Sequence, residues 1–479
     1  MTSEKTEGVP LCVDLDGTLT RTDLLWEGLF SLLKNNALSL FLLPWWLLKG
    51  KAHFKEQVAA RASVDLERLP LNPEFEEFLR GEHRAGRRLV LATAANARLA
   101  EGMAGRLGFF ERVVASDGGR NLAGAGKADR LVELFGEGGF DYAGNAGPDR
   151  AIWRRARRAV VVNASRRLQR QAERDFDVER VFVCPRNYLR HSLRAMRLHH
   201  WLKNLLLFVP LAAAQRADEW NLDLQVLCAF VAFGLCASSV YVLNDLVDLD
   251  ADRQHPSKRR RPFAAAELPL PFGLALACGL LAAVALPLAL LPLPFALVLA
   301  GYYAVTLSYS LSLKRKAVVD VTTLAALYTV RIIAGGAAAG VEISFWLLAF
   351  SIFFFFSLAL VKRCSELIDV KADDREEAKG RGYGVGDLEA LGSMGVASGF
   401  LSVLVLALYI NSDRVRLMYS SPEVIWVLCP LLLYWISRVW LLTRRGEMDS
   451  DPVVFAARDP VSWTVGAFGL ASLVAADLY

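Results

Sequence analysis

Two aspartates near the start of this 479-residue chain have the spacing of a catalytic pair. Asp14 and Asp16 come at the end of the apolar, strand-like run Val9–Leu15, and Gly17 follows them. Carboxylates at i and i+2 just past a strand can point into one site, and a glycine permits the tight turn that this requires. The first can attack a phosphoryl group as a nucleophile, while the second can protonate the leaving oxygen and later activate water. Because the pair would face an anionic phosphate, it needs Mg²⁺ to offset the negative charge.

Three later segments supply the other groups that such a site needs. Thr93 ends the run Arg88–Ala92, where its hydroxyl could hold a phosphoryl oxygen. Lys127 could neutralise the adduct between the nucleophile and the phosphate. Asn145 and Asp149 follow another strand-like run and offer oxygen ligands to Mg²⁺. Together with the aspartate pair, these residues predict a phosphatase site.

A second acidic group ends a long apolar segment. Asn244, Asp248 and Asp252 recur at i, i+4 and i+8 and so share one helix face, with Asp245 beside them. Asp250 falls off this face and is predicted to be solvated. Ionisable groups at membrane depth are costly and usually functional. Because clustered carboxylates repel one another unless a divalent cation joins them, we predict that Mg²⁺ bridges this group to a diphosphate.

Basic residues follow the second acidic group at once. Four of them, Arg253, His255, Lys258 and Arg261, are predicted to meet the metal-held diphosphate from the other side. The simpler alternative is that some of them only fix the topology of a membrane protein.

Composition separates the chain into two classes of sequence. Hydrophobic residues make up 54% and charged residues 22%, a combination that a polar domain joined to a membrane domain produces naturally. The net charge of +5 is too small to indicate nucleic-acid binding. Seven cysteines without a CxxC pair give no thiolate metal site.

The division falls near residue 190. Residues 1–190 alternate short β-branched runs with helix-forming stretches, which predicts an α/β domain with a parallel sheet. The strand-like runs are Val9–Leu15, Arg88–Ala92, Arg112–Ala115, Tyr142–Gly144, Ala159–Val162 and Val181–Cys184. Residues 191–479 predict an all-α, polytopic membrane bundle of nine transmembrane helices. The nine segments are 199–215, 222–244, 268–290, 292–313, 317–340, 343–361, 390–410, 422–442 and 460–479.

Charged loops orient this bundle. Lys and Arg concentrate in the loops after the even-numbered segments, so the positive-inside rule assigns those loops to the cytoplasm. The start of the chain is polar and without a signal peptide, which assigns the first domain to the cytoplasm as well. We therefore expect a multi-pass protein of the inner (plasma) membrane.

The stretch of residues 36–51 is apolar, rich in Trp and too short to cross a bilayer. It is either a buried cap helix or a segment that lies in the headgroup layer with Trp45 and Trp46 as anchors.

The four motifs around Asp14, Thr93, Lys127 and Asn145 resemble those of the haloacid dehalogenase-like phosphohydrolases across residues 9–185. The resemblance implies a Rossmann-like sheet, an aspartyl-phosphate formed on Asp14, and a cap inserted after the first motif. Asn145 stands where the family usually has Asp. Its amide can ligate Mg²⁺ through oxygen but carries no charge, so a degenerate, structural copy of the domain is the alternative to an active phosphatase.

The pattern NDxxDxxxD from Asn244 to Asp252 resembles the first aspartate motif of UbiA-type intramembrane prenyltransferases, a nine-helix family. Further segments resemble its decaprenyl-phosphate phosphoribosyltransferase branch over nearly all of residues 191–479. These segments are His255–Lys258, Arg261–Pro262, Tyr309–Lys314, Asp320–Val321, Val330–Gly336, Lys362–Leu367, Asp451–Val453 and Ala456–Asp459.

That branch implies phosphoribosyl diphosphate as the donor and a polyprenyl phosphate in the bilayer as the acceptor. Mg²⁺ on Asp245, Asp248 and Asp252, with Asn244 nearby, would stabilise the departing diphosphate. The expected substrate-binding residues outside the acidic motif are Lys203, Tyr309, Lys314, Arg331, Lys362 and Arg363. An arginine within an apolar span needs a partner, so Arg331 is either a phosphate clamp or one half of a structural ion pair.

Fusion of the two activities suggests two successive steps, because transfer of a 5-phosphoribosyl group leaves a 5-phosphate that a phosphatase can remove. Three alternatives remain. Asp369 and Asp373 read DxxxD, which resembles the second motif of aromatic prenyltransferases acting on a prenyl diphosphate and an aromatic acid such as 4-hydroxybenzoate. The first domain could also be a regulatory scaffold, or the aspartyl-phosphate could drive an ion pump. We expect no nucleic-acid partner and allow for a homo-oligomer.

Overall fold

The computed structural model describes residues 8–117, 122–216, 219–372, 382–448 and 451–478. These residues form two compact units. The first unit contains the chain up to Met196 together with Tyr241–Cys278, and the second contains Arg197–Val240 and Gly279–Tyr479. The acidic motif from Asn244 to Asp252 therefore packs in the same unit as the aspartate pair.

The first unit is built on a six-stranded parallel sheet with strand order β3-β2-β1-β4-β5-β6. Its strands are β1 (Leu11–Val13), β2 (Leu89–Asn96), β3 (Arg112–Ser116), β4 (Asp141–Gly144), β5 (Ala159–Val162) and β6 (Val178–Phe182). Its helices are α1 (Leu24–Asn35), α2 (Leu43–Leu48), α3 (Lys51–Arg61), α4 (Pro73–Arg84), α5 (Ala97–Leu107), α6 (Ala125–Phe135), α7 (Arg150–Trp153), α8 (Arg166–Asp175) and α9 (Tyr188–Met196). All six strand-like runs of the sequence are strands, because a parallel sheet covered on both faces requires continuous apolar runs.

Successive residues of the central strand β1 face opposite sides of the sheet. Leu11 and Val13 belong to one apolar core, and Cys12 belongs to the other. All three side chains are buried. Because β1 is covered on both faces, the residue after it is fixed at the carboxyl edge of the sheet, where ligands bind in open α/β folds.

The segment of residues 36–51 combines features of both predicted alternatives. It folds as a 3₁₀ helix (Ala37–Leu42) followed by α2. Trp46 is buried against Leu32 and Val58, as a cap helix requires. Trp45 and Leu48 lie on the outer surface and are 59% and 83% exposed. The segment is thus one layer of a helical insertion between β1 and β2, with an apolar outer side.

Seven helical stretches of the described chain are long and apolar enough to cross a membrane. They are Trp220–Val247, Leu270–Leu288, Leu293–Leu311, Val319–Ala339, Phe345–Ala372, Val385–Ile410 and Pro422–Arg444. The helices that compose them are α11 (Trp220–Val247), α13 (Leu270–Ala283), α14 (Ala285–Leu288), α15 (Leu293–Leu311), α16 (Val319–Ala339), α17 (Phe345–Ala372), α18 (Leu388–Ile410) and α20 (Leu428–Arg444). The shorter helices are α10 (Val209–Ala213), α12 (Leu249–Gln254), α19 (Asp413–Met418) and α21 (Pro452–Arg458).

The predicted count of nine spans is not confirmed. The first predicted segment folds as a 3₁₀ helix (Leu198–Phe208) followed by the five-residue helix α10. The last forms the helix α22 (Pro460–Leu478), which is not among the seven. The gap between the predicted segments 268–290 and 292–313 is a real break, because α15 begins at Leu293, directly after Pro292.

A buried ion-pair network ties together the edge of the sheet opposite the aspartate pair. Asp141, at the start of β4, has a fully buried side chain that accepts hydrogen bonds from the guanidinium groups of Arg87 and Arg157. Arg87 also pairs with Glu82 and Glu179. Three strands or their preceding loops therefore meet at one carboxylate.

We expect Asp141→Asn to destabilise this unit by about 3–5 kcal/mol, because it removes the buried carboxylate charge that Arg87 and Arg157 share. In the full-length protein the unfolding transition of the unit should fall by on the order of 10 °C, measured by differential scanning calorimetry. The matched control is Glu111→Gln, which breaks an exposed pair with Arg88 and should leave the transition unchanged. Equal transitions for Asp141→Asn and wild type would contradict this account of the network.

Candidate active sites

The aspartate pair lies where β1 ends, and the loop geometry explains its spacing. Gly17 adopts a φ of 73°, in the left-handed region, and this turns the chain back on itself directly after Asp16. A side chain at Gly17 would come within 2.1 Å of the Asn145 amide nitrogen. Asn145, at the end of the neighbouring strand β4, is thereby packed against the loop that carries the pair.

Lys127 binds the nucleophile candidate directly. Its ammonium group donates a 2.6 Å hydrogen bond to Asp14 Oδ1 and a 2.9 Å bond to the hydroxyl of Tyr142. Tyr142 in turn donates to Asp149 Oδ1 at 3.1 Å. Asp149 Oδ2 accepts the backbone N–H groups of Asn145 and Ala146, both at 2.9 Å. The sequence motifs did not indicate that Tyr142 belongs to this site, because a tyrosine within an apolar strand is usually a core residue.

The remaining predicted members lie at the same edge of the sheet. Thr93 is fully buried on β2, and its hydroxyl oxygen accepts the N–H of Ala95. Asp16 Oδ1 accepts the N–H of Leu24 at 2.9 Å, in the first turn of α1. The structure therefore assembles the predicted residues within β2, in the segments that follow β1 and β4, and on α6.

Burial dominates the electrostatics of the pair. It raises the pKa of Asp14 to about 6, and the neighbouring Lys127 opposes the rise. Burial also raises the pKa of Asp16 well above its ordinary value, with the charge of Asp23 adding to the effect. A carboxyl group that retains its proton can act as a general acid, which is the role predicted for Asp16.

A cavity of about 200 Å³ opens beside Asp16. Its polar lining comes from Asp16, Asp23, Lys55 and Asn96, and its walls include Gly28 of α1 and Val58 of α3. Lys55 donates a 2.8 Å hydrogen bond to the carbonyl of Ala94. Burial lowers the pKa of Lys55. No spacing in the sequence indicated Lys55, because it reaches the cavity from the helical insertion.

The donor set at this edge fits Mg²⁺. Mg²⁺ in phosphoryl-transfer sites takes one or two carboxylates and completes its shell with phosphate and water. The carboxylate of Asp14 and the amide oxygen of Asn145 would supply the protein ligands of such a shell, while Asp16 has the proton-donating role. No group of three or more acidic, imidazole or thiol side chains that could hold a metal occurs among the described residues.

In the second acidic motif, two carboxylates meet at the guanidinium group of Arg261. Asp245 and Asp252 are both buried, and both accept hydrogen bonds from the same nitrogen of Arg261, at 3.2 and 2.7 Å. Two carboxylates that converge on one positive group have the arrangement that a divalent ion requires, so these residues also fit Mg²⁺.

The helix that carries this motif is interrupted. The sequence predicted one continuous helix face, but α11 ends at Val247 and α12 begins at Leu249. The break lies at Asp248, with φ −97° and ψ 18°. Backbone bonds from Asp248 to Asn244 and from Asp252 to Asp248 continue across it, so the i, i+4, i+8 residues stay near one another.

The predicted diphosphate-binding basic residues differ in their surroundings. Arg253 is buried and binds Glu27 of α1 through both terminal nitrogens, at 3.0 and 2.7 Å. His255 is exposed and contacts Ser257. Lys258 begins a short 3₁₀ turn and is half-buried. Arg261 binds both Asp245 and Asp252 of the acidic motif, and Arg253 also lies 4.0 Å from Asp250.

In the second unit, one cluster joins two of the predicted lysines. Lys203 forms a buried ion pair with Asp451, which caps the start of α21 by accepting the N–H of Val453. Burial raises the pKa of Asp451, but the charges of Lys203 and Lys362 outweigh it and hold that pKa well below its ordinary value. Asp451 lies in a segment that resembles the transferase branch, but it was not predicted as a site residue.

Arg331 lies among aromatic rings within the bundle. Its guanidinium group donates to Asn204 Oδ1 and to the Tyr302 hydroxyl, both at 3.1 Å, and to the carbonyl of Leu327. The rings of Phe233 and Tyr302 lie 5.4 and 5.1 Å from it. These hydrogen-bond partners are neutral, which favours the phosphate clamp over the structural ion pair.

Arg363 has the opposite character. It is fully buried and forms a 2.7 Å ion pair with Asp320, and it also contacts Glu366. Tyr309 donates a 2.7 Å hydrogen bond to the same Asp320. Arg363 and Tyr309 are therefore joined through one carboxylate, and their polar groups are engaged in holding the bundle together. Asp320 was not predicted as a site residue.

Lys314 and Asp369 are further predicted residues that the structure describes. Lys314 is half-buried in the 3₁₀ turn Leu313–Arg315 that follows α15. Asp369 lies on α17, while Asp373, its partner in the second aspartate motif, is outside the described residues.

Comparison with known proteins finds two families along the chain, one for each of its two parts. Residues 205–472 match the UbiA prenyltransferase family, and residues 11–152 match the haloacid dehalogenase-like hydrolases. Over 98% of its length the chain is 38% identical to protein y4nM of Sinorhizobium fredii, of which it covers 91%. It is 38% identical to nodulation protein NoeC of Azorhizobium caulinodans, over 55% of this chain and 86% of that protein. It is 41% identical to the decaprenyl-phosphate phosphoribosyltransferase of Mycolicibacterium smegmatis, over 38% of this chain and 59% of that enzyme.

The bond from Lys127 to Asp14 generates a test of the first site. We expect Lys127→Met in the full-length protein to lower the hydrolysis of p-nitrophenyl phosphate by about 10²–10³-fold, because the charge that develops on the phosphoryl group loses its cation. Arg130→Gln, on the exposed side of the same helix, should keep the wild-type rate. A Lys127→Met enzyme as fast as wild type would refute the role given to this lysine.

Proposed function

We propose that this chain, which belongs to the UbiA prenyltransferase family, transfers a 5-phosphoribosyl group from phosphoribosyl diphosphate to a polyprenyl phosphate such as decaprenyl phosphate. Its haloacid dehalogenase-like domain then removes the 5-phosphate, and the product is polyprenyl-phosphoribose. The observation that carries the first step is the convergence of buried Asp245 and Asp252 on one cation position. The name of the mycolicibacterial relative supports the choice of donor and acceptor.

In the first step an oxygen of the lipid phosphate attacks the anomeric carbon of the donor, and the bond from that carbon to the diphosphate breaks. Mg²⁺, when bound at either acidic site, offsets the charge of the phosphate groups and of the carboxylates around them. Arg261 contributes a second positive charge beside Asp245 and Asp252. Arg331, with neutral partners and a ring of aromatic groups, is suited to hold a phosphate away from water.

In the second step Asp14 attacks the phosphorus of the 5-phosphate, and the bond from phosphorus to the ribose oxygen breaks. Asp16 donates its proton to that oxygen. It then takes a proton from water, whose oxygen attacks the aspartyl-phosphate and releases inorganic phosphate. Lys127 neutralises the adduct on Asp14. The cavity beside Asp16 would take the sugar, with Lys55 and Asp23 as its polar contacts.

The membrane arrangement is part of the proposal. The segments 199–215 and 460–479 would complete nine spans with the seven long helices. The basic loops would face the cytoplasm of an inner-membrane protein, so that both acidic sites meet water-soluble substrate on that side.

The test is mass spectrometry of the lipids formed by full-length protein from decaprenyl phosphate and isotope-labelled phosphoribosyl diphosphate, with and without Mg²⁺. Wild type should yield decaprenyl-phosphoribose. Asp14→Asn should stop at the 5-phosphorylated lipid, because the nucleophile is lost, and Asp252→Asn should form neither.

The three outcomes bear on different parts of the proposal. Identical products from wild type and Asp14→Asn would disprove the dephosphorylation step. Labelled lipid from Asp252→Asn at the wild-type rate would disprove the role of the acidic motif. Transfer from a prenyl diphosphate to 4-hydroxybenzoate, with none from phosphoribosyl diphosphate, would replace the whole reaction by the aromatic alternative.

A further inference from the structure

Helix α1 connects the two acidic sites of the first unit. Its first turn binds Asp16, because the N–H of Leu24 donates to that carboxylate. Its second half carries Lys34, whose ammonium group lies 3.4 Å from Asp248 of the other acidic motif. Ten residues separate Leu24 from Lys34, which corresponds to about 15 Å along the helix axis.

A buried ion pair fixes α1 against the segment that follows the acidic motif. Glu27 and Arg253 bind through two hydrogen bonds, and their side chains are 2% and 4% exposed. Glu27 also accepts the hydroxyl of Thr22, and Arg253 also donates to the carbonyl of Ala264. A planar, bidentate pair with its other groups satisfied specifies one geometry. The position of α1 beside the motif is thus set by directional bonds.

Lys34 has a different environment from Glu27, although the two lie seven residues apart on one face of the helix. Its side chain and that of Asp248 are about one quarter exposed, so a ligand can reach them. The ammonium group adds a positive charge at the edge of a motif that holds several carboxylates. No sequence motif of the transferase contributes this charge, because it comes from the phosphatase part of the chain.

We propose that α1 is part of the transferase site and that Lys34 binds an anionic group of the phosphorylated sugar donor beside Asp248. The proposal rests on the proposed function. This role would explain why the two domains are fused. The sugar phosphate formed beside Lys34 would lie about 15 Å along α1 from the end of the helix that binds Asp16.

The test uses the full-length protein with Lys34→Gln, Lys34→Arg and, as a charge-matched control on an exposed surface of the same domain, Arg84→Gln. We expect Lys34→Gln to raise the KM for phosphoribosyl diphosphate about tenfold while kcat and the hydrolysis of p-nitrophenyl phosphate stay near wild type. Lys34→Arg should restore the KM, and Arg84→Gln should not change it. Calorimetric binding of inorganic diphosphate should weaken in Lys34→Gln by a similar factor.

The outcomes separate this inference from the proposed function. Absence of transfer in the wild type defeats the proposed function, whatever Lys34 does. Transfer by the wild type, with an unchanged KM and unchanged diphosphate affinity in Lys34→Gln, overturns the role of Lys34. A fall in kcat alone would also overturn it, because it would assign Lys34 to the structure of the motif instead of to binding.

An independent observation concerns the outer side of the helical insertion. Six large apolar side chains are exposed there within eleven residues: Leu38, Phe41, Leu42, Trp45, Leu47 and Leu48. Trp46 faces inward and anchors the segment to the core of the insertion. Lys49 and Lys51 follow directly and are exposed, and Lys49 lies 5.4 Å from the ring of Trp45. An apolar surface of this kind on a polar domain marks an interaction site.

We infer that this surface, residues 38–51, binds the lipid bilayer at its headgroup boundary. The chain carries seven helices suited to cross a membrane, so a bilayer is always within its reach. Trp at the interface and Lys toward anionic headgroups are the residue types that interfacial segments use. Binding there would bring the phosphatase cavity, whose wall includes residues of the same insertion, close to a lipid-linked substrate.

The test places the photoreactive residue p-benzoylphenylalanine at position 45 of the full-length protein in vesicles of phosphatidylethanolamine and phosphatidylglycerol. Irradiation should give a phospholipid adduct at position 45, detected by mass spectrometry. The same residue at position 170, on the exposed helix α8, should give none. Crosslinks from position 45 to a second copy of the chain, or no lipid adduct, would overturn the inference.

Discussion

A carboxylate removed from water loses several kcal/mol of hydration unless cations or hydrogen-bond donors replace the water. Several buried acidic groups among the described residues meet that requirement with a specific cation. Lys127 binds Asp14, Arg261 bridges Asp245 and Asp252, and Lys203 binds Asp451. The two proposed active sites differ from ordinary ion pairs because their acidic residues outnumber the cations beside them. That excess is what a divalent ion and a phosphate-bearing substrate would balance.

The same requirement distinguishes structural cations from those available to a ligand. Arg363 is paired with two carboxylates, Asp320 and Glu366, which already balance its charge within the bundle. Arg331 is buried to a similar degree but is bound by neutral oxygens and aromatic faces. Burial of an arginine charge beside neutral groups is stable only while those groups compensate for lost water, and an incoming anion improves that balance. Residue type and burial do not distinguish the two arginines; only their bonding partners do.

Much of the fold follows from local pattern. The six strands are continuous apolar runs, as buried parallel strands require, and the Asp14–Asp16 turn follows the first of them. Long apolar segments likewise predict most of the helices that could cross a membrane. The sequence also predicted that Lys127 would neutralise the phosphate adduct on Asp14. It could not indicate that Arg253 binds Glu27, since the partners are 226 residues apart and neither has a local signature. The interruption at Asp248 was missed for a related reason: the spacing of Asn244, Asp248 and Asp252 suits a continuous helix, and hydrogen bonds across the break preserve that spacing.

The contacts of α1 change what fusion accomplishes. A flexible tether raises the effective concentration of one site near another, and the gain falls as the linker lengthens. A helix that binds Asp16 at its first turn and lies against Asp248 near its last turn instead fixes both the distance and the orientation between the two acidic sites. A lipid-linked sugar phosphate could then be presented to the second site without a search through the bilayer. The buried pair of Glu27 and Arg253 maintains this geometry, because moving α1 away would separate two buried charges that bind each other through two hydrogen bonds.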